Sequence, residues 1–243
     1  MAIEAATKPL TAFSYLSFDI VGTLIDFEGA IIDGLKEIAR QAGKTIDREL
    51  ALSVYRAARY QPEAELFPDD LCRCYGEIAA ALDLPDTPEN RQAMIDAVGE
   101  AKPFPDSAEA MRRLAARYKL VAMTNARRWA FEKYEKKLGN PFWATLTTDD
   151  TGTEKPDPAF FHQAFALVEG DGGSRSDMLH VAQSQYHDIG ISRELGMTNA
   201  WIERRHDQDG YGGTIAPAHF TEPDYHFKAL IGLADAVDRA FEE

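Results

Sequence analysis

Short apolar runs alternate with amphipathic helical patterns through most of this chain, and that alternation limits the folds open to it. The runs are rich in aliphatic and aromatic residues, and the segments between them repeat apolar residues at helical spacing. Strands that alternate with helices form a parallel sheet with right-handed crossovers and helices on both faces. The sequence therefore predicts a doubly wound α/β core. The predicted strands are 13–18, 118–123, 143–147, 178–182, 199–203 and a shorter one near His226.

One long segment interrupts this alternation, because it carries helical patterns and no convincing strand. It follows a first predicted helix at 30–42 and extends from 48 to about 101, with four prolines separating its helices. An all-helical insert between two strand and helix units indicates a separate cap domain. We predict that residues 1–26 and 103–243 form the α/β core domain and that residues 27–102 form the helical cap domain.

The composition excludes several classes of partner. The 243 residues include 40 acidic and 26 basic residues, which give a formal net charge of −14. A chain this acidic repels nucleic acid and anionic lipid, so we expect no nucleic-acid partner and no membrane partner. No stretch approaches roughly 18 uninterrupted apolar residues, and residues 1–5 lack a basic region followed by an apolar run. We therefore expect a cytoplasmic protein.

A carboxylate stands at the end of the first predicted strand. Asp19 follows the apolar run, and Gly22 and Thr23 come shortly after it. Ligands of open α/β sheets bind in the crevice outside the carboxyl ends of the strands, and glycine lets the backbone turn tightly there. An isolated Asp in this pattern caps a turn as readily as it carries out chemistry. Three later stretches favour the chemical interpretation.

These stretches place further polar side chains at the same edge of the predicted sheet. Thr124 and Asn125 follow the second strand, Lys155 precedes a helix, and Asp188 lies beyond the strand at 178–182. Each type has a plainer explanation, since Thr and Asn are good helix N-caps and an isolated Lys is usually solvated. A cation beside Asp19 would hold that carboxylate in its charged form. With Asp188 also nearby, Lys155 would have to lie between the two carboxylates if both are to stay ionised.

Taken in order, these stretches resemble the four motifs of the haloacid dehalogenase superfamily. The residues that carry the resemblance are Asp19-Ile20-Val21-Gly22-Thr23-Leu24, Thr124-Asn125, Lys155-Pro156-Asp157-Pro158 and Asp188. The resemblance covers nearly the whole chain, with the helical insert in the matching place. It implies a Rossmann-like core of the haloacid dehalogenase type and an inserted all-helical cap.

Two departures from the phosphatase pattern of that superfamily point to its dehalogenase branch. In the phosphatases, an Asp at the position of Val21 protonates the leaving alkoxide, whereas a halide leaves without a proton. Gln183 stands where the phosphatases carry an Asp that binds magnesium. Both changes favour chemistry without a metal or other cofactor. The resemblance is therefore to the type II, L-2-haloacid dehalogenases, which act on small anionic substrates.

The resemblance also implies roles for individual residues. Asp19 would be the nucleophile that forms an ester, and Asp188 would help to activate the water that hydrolyses it. Lys155 and Thr23 would position and stabilise the carboxylates. A homodimer is the assembly that the resemblance suggests. The substrate-binding residues that it implies are Thr124, Asn125, Gln183, Ser184 and an arginine of the cap.

Two arginines of the first long cap helix compete for the role of receiving the halide. The run Tyr55-Arg56-Ala57-Ala58-Arg59 contains both. The family pattern favours Arg56, because it follows an apolar pair, and Arg59 lies one helical turn away on nearly the same face. The alternative is that both are solvated, since most arginines lie at the surface.

The sequence leaves the reaction open to other interpretations. Phe161 stands where characterised dehalogenases carry a Tyr, which removes one hydroxyl from the expected site and leaves the substrate open. The alternatives are a magnesium-dependent phosphatase, a metal-free hydrolase that opens another electrophilic carbon such as a strained ring, and a non-catalytic binding protein on the same fold. The presence of Asp19, Lys155 and Asp188 together argues against the last of these.

Overall fold

The core of the protein is a six-stranded parallel sheet. The computed structural model describes residues 8–242, and its strands are β1 (Tyr15–Phe18), β2 (Lys119–Met123), β3 (Ala144–Leu146), β4 (Met178–Ala182), β5 (Thr198–Ile202) and β6 (Tyr225–Phe227). Their order is β3-β2-β1-β4-β5-β6, and every neighbouring pair is parallel. The chain thus winds in one direction from β1 through β2 to β3 and in the other through β4 to β6. This confirms the predicted doubly wound sheet.

Helices cover both faces of this sheet. Within residues 8–242 the α-helices are α1 (Phe27–Gln41), α2 (Arg48–Arg59), α3 (Leu71–Leu82), α4 (Pro88–Gly99), α5 (Ser107–Ala115), α6 (Arg128–Lys137), α7 (Thr148–Thr151), α8 (Pro158–Gly170), α9 (Gly190–Glu194) and α10 (Leu230–Glu242). Side chains of β1 alternate between the faces: Leu16 and Phe18 join the cluster that includes α5 and α10, while Tyr15 joins the cluster around α8. Burial on both faces explains why these strands read as continuous apolar runs.

The insert between β1 and β2 is helical, as the sequence predicts. Its helices pack in the pairs α1 with α4, α2 with α3, and α3 with α4. The first helix starts at Phe27, three residues before the predicted start, because the Asp26 side chain accepts a hydrogen bond from Gly29 N at 2.8 Å and caps it. Apolar periodicity does not report such a cap.

The two chain crossings that bound the insert lie side by side. Asp26 N donates to Lys102 O at 2.9 Å, and Phe104 N donates to Leu24 O at 3.0 Å. The chain therefore leaves and re-enters the core at one place. The division into a core domain and a cap domain at 26/27 and 102/103 stays a prediction. These two hydrogen bonds lie at the predicted boundaries.

Residues 1–5, on which the expectation about a leader segment rests, lie outside the described residues. None of the helices within 8–242 has both the length and the apolar character needed to cross a bilayer.

Candidate active site

A buried ammonium group lies between two carboxylates at the carboxyl edge of the sheet. Lys155 Nζ donates to Asp19 Oδ1 at 2.9 Å and to Asp188 Oδ1 at 2.6 Å. The exposed fractions are 6% for Asp19, 2% for Lys155 and 0% for Asp188. Asp19 directly follows β1, which pairs with β4, and Asp188 comes shortly after β4. The structure thus brings together the three charged residues that the sequence singles out.

Burial and ion pairing act in opposite directions on these groups. Burial alone would raise the pKa of Asp188, but the charge of Lys155 and a hydrogen bond with His180 outweigh it and lower that pKa to about 2. Burial would lower the pKa of Lys155, yet Asp188 and Asp19 raise it. Burial raises the pKa of Asp19, with Asp188 adding to the effect and Lys155 opposing it. Asp19 therefore depends on the Lys155 charge to remain a carboxylate.

Thr23 connects the nucleophile candidate to the loop after β4. Its Oγ1 donates to Asp19 Oδ2 at 2.5 Å and accepts from Gln183 N at 2.8 Å. Gly22 between them has φ +90°, and a Cβ there would lie 3.3 Å from Gln183 Oε1. The turn after β1 is therefore tight, and both Asp19 oxygens have hydrogen-bond donors.

His180 supports Asp188 from behind, and sequence reasoning missed it. His180 Nε2 lies 3.0 Å from Asp188 Oδ1, and Nδ1 lies 2.9 Å from Ser17 Oγ. An ionised carboxylate only accepts hydrogen bonds, so Nε2 carries the proton in the contact with Asp188. Ser17 and His180 are register partners of β1 and β4. A single polar residue in each of two neighbouring buried strands was the signal available in the sequence.

Asn125 holds the Lys155 backbone in place. Its Oδ1 accepts from Lys155 N at 2.8 Å, and its Nδ2 donates to Lys155 O at 2.9 Å. Thr124 is fully buried and accepts from Ala126 N at 3.1 Å, outside the cavity lining. Helix α6 has Arg127 as its N-cap, without a side-chain cap bond. Neither Thr124 nor Asn125 is therefore the N-cap of α6, which was the alternative explanation for these two residues.

The residues after β4 form a π-helical turn, Gln185–Ile189, that sequence periodicity did not predict. Ser184 begins it, because its Oγ accepts from His187 N at 2.9 Å. Gln183, Ser184 and His187 all line the same cavity as Asp19. The second oxygen of Asp188, Oδ2, is buried and has no hydrogen-bond partner among the described residues.

The cavity above these groups has a volume of about 680 Å³. Arg59 lines this cavity, whereas Arg56 does not. The Arg56 guanidinium instead donates to Gly212 O, so the structure does not support the preference for Arg56. Tyr55 also lines the cavity, and a residue four positions later lies over the same face of the helix. Arg59 Nη1 makes a 2.6 Å ion pair with the buried Asp70. Of the two arginines, Arg59 is therefore the one that faces the cavity.

Two further positions differ from the expectation. Glu154 lines the cavity, and its Oε1 is buried without a hydrogen-bond partner in residues 8–242. Burial raises the pKa of Glu154, which favours its neutral acid. Phe161 is fully buried against the edge of the His180 ring, with ring centroids 5.4 Å apart, and so lies behind the site. Sequence reasoning missed Glu154 although it directly precedes Lys155.

The donor set does not resemble a metal site. Among the residues that the structure describes, no group of three or more His, Cys, Asp or Glu side chains is arranged to hold a metal ion. Asp19 and Asp188 already share the Lys155 ammonium, and Gln183, which lines the same cavity, offers an amide and not a carboxylate. The residues present therefore do not fit a magnesium ion, which prefers carboxylate and water oxygens.

His187 should make the stability of the protein pH-dependent. Burial lowers the pKa of His187 from 6.5 to about 4. The unfolded chain binds more protons than the folded one between these values, so the free energy of unfolding falls as the pH decreases through that range. We expect a loss of about 2 kcal/mol between pH 7 and pH 4.5 that is absent in His187→Gln. Urea unfolding of both proteins at these two pH values measures it.

Asp188 does not titrate in the pH range of this test. The pKa of Asp188 is about 2, below its ordinary value of 3.8. The contribution of Asp188 to the free energy of unfolding is therefore complete above pH 3.8 and is lost only as the pH falls toward 2. Equal pH dependence in wild type and His187→Gln would contradict the assignment to His187.

Comparison with known proteins places this arrangement in a family. The family model described as haloacid dehalogenase-like hydrolase matches residues 14–188, while curated protein sequences gave no significant match. An L-2-haloacid dehalogenase has a similar solved structure, with a TM-score of 0.75 and 21% identity over 93% of this chain and 99% of that one. The L-2-haloacid dehalogenase from Xanthobacter autotrophicus has a TM-score of 0.68 and 20% identity over 93% and 98%.

A phosphatase is also among the similar structures. A phosphatase of the same superfamily from Thermococcus onnurineus has a TM-score of 0.59 and 23% identity over 92% of this chain and 97% of that one. At these identities the structural likeness shows the fold alone. The family model, by contrast, covers well over half of the chain and includes Asp19, Lys155 and Asp188. The chain belongs to the haloacid dehalogenase-like hydrolases.

Proposed function

We propose that this hydrolase cleaves the carbon–halogen bond of 2-haloacids without a metal, through an ester on Asp19. The observation that carries the proposal is the position of Lys155 Nζ, 2.9 Å from Asp19 and 2.6 Å from Asp188. This ammonium supplies the charge compensation that two buried carboxylates need. Val21, beside Asp19 in the cavity, supplies no proton to a leaving oxygen.

In the first step the Asp19 carboxylate displaces the halide. An Asp19 oxygen attacks C2 of the acid from the side opposite the halogen, a C–O bond forms, and the halide leaves with the bonding electrons. Thr23 and Lys155 hold the carboxylate through their hydrogen bonds of 2.5 and 2.9 Å. Backside attack inverts the configuration at C2.

In the second step water hydrolyses the ester. The water attacks the carboxyl carbon of Asp19 and transfers a proton to Asp188, whose Oδ2 has no partner among the described residues. His180 and Lys155 both bond Oδ1 of Asp188 and so orient its other oxygen. Lys155 stabilises the tetrahedral oxyanion at Asp19. As the ester C–O bond breaks, Asp188 returns its proton to the leaving alkoxide, which becomes the hydroxyl of the 2-hydroxy acid. The Asp19 carboxyl group then loses the remaining water proton to solvent, which restores the carboxylate.

The cavity also offers groups for an anionic substrate. Arg59 uses Nη1 for Asp70 and Glu65 O, which leaves Nη2 and Nε without partners in residues 8–242. These nitrogens can receive the halide or the substrate carboxylate. Asn125 and Ser184 line the same cavity.

The phosphatase alternative has weaker support in the same site. A phosphate monoester needs a general acid for its leaving oxygen and strong neutralisation of its charge. Val21 provides no acid, and Gln183 provides no carboxylate for a metal. Opening of a strained ring would use Asp19 as the same nucleophile. It is therefore a second candidate reaction at this site.

A halide-release assay with chelator separates these reactions. We expect wild type to release chloride from 2-chloropropionate at an undiminished rate in excess EDTA. We also expect negligible hydrolysis of p-nitrophenyl phosphate when millimolar Mg²⁺ is added. Phosphatase activity that EDTA removes and that Asp19→Asn lacks would contradict the proposal.

A further inference from the structure

The cavity is much larger than a small 2-haloacid. Its volume is about 680 Å³, which is within the range of pockets that enclose drug-sized ligands. 2-Chloropropionate has only six non-hydrogen atoms, and at roughly 30 Å³ for each water-sized group it would fill about 180 Å³. Most of the cavity would then hold water beside apolar side chains.

A continuous aromatic wall begins beside the nucleophile turn. A Cβ at Gly22 would lie 3.2 Å from the Phe27 ring, so that ring borders the turn after Asp19. The Phe27 centroid is 6.2 Å from that of Tyr55 and 6.4 Å from that of Phe67. All three aromatic residues line the cavity and are themselves buried in the protein. The wall therefore leads away from the reacting atoms into the helical insert.

The wall joins the core on its other side and continues to the rim. Arg127 N donates to Phe67 O at 2.8 Å, directly after Ala126 of the cavity lining. At the rim, Tyr60 is 67% exposed and Leu66 is 38% exposed, and both line the cavity. Tyr60 and Leu66 thus extend the apolar surface of the cavity to its rim.

We propose that the substrate carries an apolar alkyl or aryl group of about four or more carbons on C2, which packs on this wall. The inference rests on the proposed function, because it extends the substrate of that same site. Lys155, Asp19 and Asp188 act on the carboxylate and halogen end, and the Phe27, Tyr55 and Phe67 rings receive the apolar end. Small 2-haloacids would then be poor substrates that leave the wall uncovered.

The size of the effect follows from the transfer of methylene groups. One buried methylene is worth about 0.8 kcal/mol, or roughly a fourfold change in kcat/KM. 2-Chlorohexanoate has three methylenes more than 2-chloropropionate, so we expect its kcat/KM to be at least about tenfold higher. Equal or lower kcat/KM for 2-chlorohexanoate in wild type would overturn the proposal.

A bulkier side chain in the cavity should reduce this preference. Ala64 lines the cavity on the loop before Leu66, and Ala64→Phe puts a ring into the space that the apolar group needs. We expect the ratio of kcat/KM for 2-chlorohexanoate over 2-chloropropionate to fall at least about fivefold. Ala57→Phe is the matched control, because Ala57 is exposed on α2 outside the lining and should leave the ratio unchanged. An equal ratio in wild type and Ala64→Phe, with both proteins folded by circular dichroism, would contradict the wall assignment.

Binding of the hydroxy acid products separates this inference from the proposed function. Calorimetry with wild type should show tighter binding of 2-hydroxyhexanoate than of 2-hydroxypropionate, by about tenfold or more. If no 2-chloro acid releases chloride, the proposed reaction fails, and this binding preference still tests the wall. Equal affinities for the two hydroxy acids would reject it, whatever the reaction.

Discussion

Replacing Asp19 by asparagine should reduce steady turnover by at least about 10⁴-fold, because a neutral amide is a far weaker nucleophile than a carboxylate. The substitution keeps the shape of the side chain and the hydrogen bond from Lys155 or Thr23 to its one oxygen. Circular dichroism should therefore show an unchanged fold. Chloride release from 2-chlorohexanoate under saturating conditions measures the loss.

Asp157→Asn is the matched control for that loss. Asp157 is another carboxylate of the cavity lining, but it caps α8 by accepting from Ala159 N at 2.8 Å, and Asn is an equally good cap. Its effect on turnover should be below about threefold. Comparable losses in the two variants would mean that the cavity needs negative charge in general and not a nucleophile at position 19.

Lys155→Met should cost both activity and stability. Without the ammonium, two carboxylates that are 6% and 0% exposed remain together in the protein interior with no cation. Breaking such a buried arrangement by removing one partner costs about 3–5 kcal/mol. Activity should fall at least about 10³-fold, because Asp19 then takes up a proton and the oxyanion loses its main support. Urea unfolding and chloride release measure the two effects.

A surface lysine provides the comparison for stability. Lys133 Nζ lies 2.7 Å from Glu100, but both side chains are largely exposed, so Lys133→Met should cost less than about 1 kcal/mol. If Lys155→Met costs no more than Lys133→Met, then Asp19 and Asp188 do not depend on this cation. The proposed charge compensation would be wrong in that case.

The parts of the fold that the sequence predicted are those with strong local signals. Strands buried on both faces appear as apolar runs, and β4 and the predicted run at 178–182 coincide. Polar residues at strand ends marked the site, since parallel strands bring their carboxyl ends to one edge. Asp19 and Asp188 were found in this way, whereas Lys155 precedes a helix and was identified from its resemblance to the family motif. The position of Lys155 between the two carboxylates was predicted because both need a nearby cation to stay ionised.

The parts that sequence reasoning missed depend on orientation in three dimensions. The choice between Arg56 and Arg59 depends on which helix face meets the cavity, and the family pattern favoured the arginine that turns toward Gly212 O. His180 was hidden inside an apolar strand, and the Asp188 that contacts it lies in the π-helical turn that follows β4. Such a turn leaves no periodic signal.

The long loop at 204–222 packs beside the site. Gly213 N donates to Glu28 Oε1 at 2.8 Å, and Thr221 N donates to Gln185 Oε1 at 3.0 Å. The loop thus connects the first helix of the insert with the turn that carries Asp188. Its Gly and charged residues gave no indication of these partners, because each lies far away in the sequence.

The origin of the oxygen in the product tests the ester on Asp19 most directly. A single turnover with enzyme in excess over 2-chlorohexanoate, run in H₂¹⁸O, should give a 2-hydroxy acid whose new hydroxyl oxygen is unlabelled. The peptide that contains Asp19 should gain one heavy oxygen, because water attacks the carboxyl carbon of the ester. A labelled hydroxyl in the first product with an unlabelled Asp19 peptide would show direct attack by water and contradict the account, and a label on the peptide of Asp188 would place the nucleophile there instead.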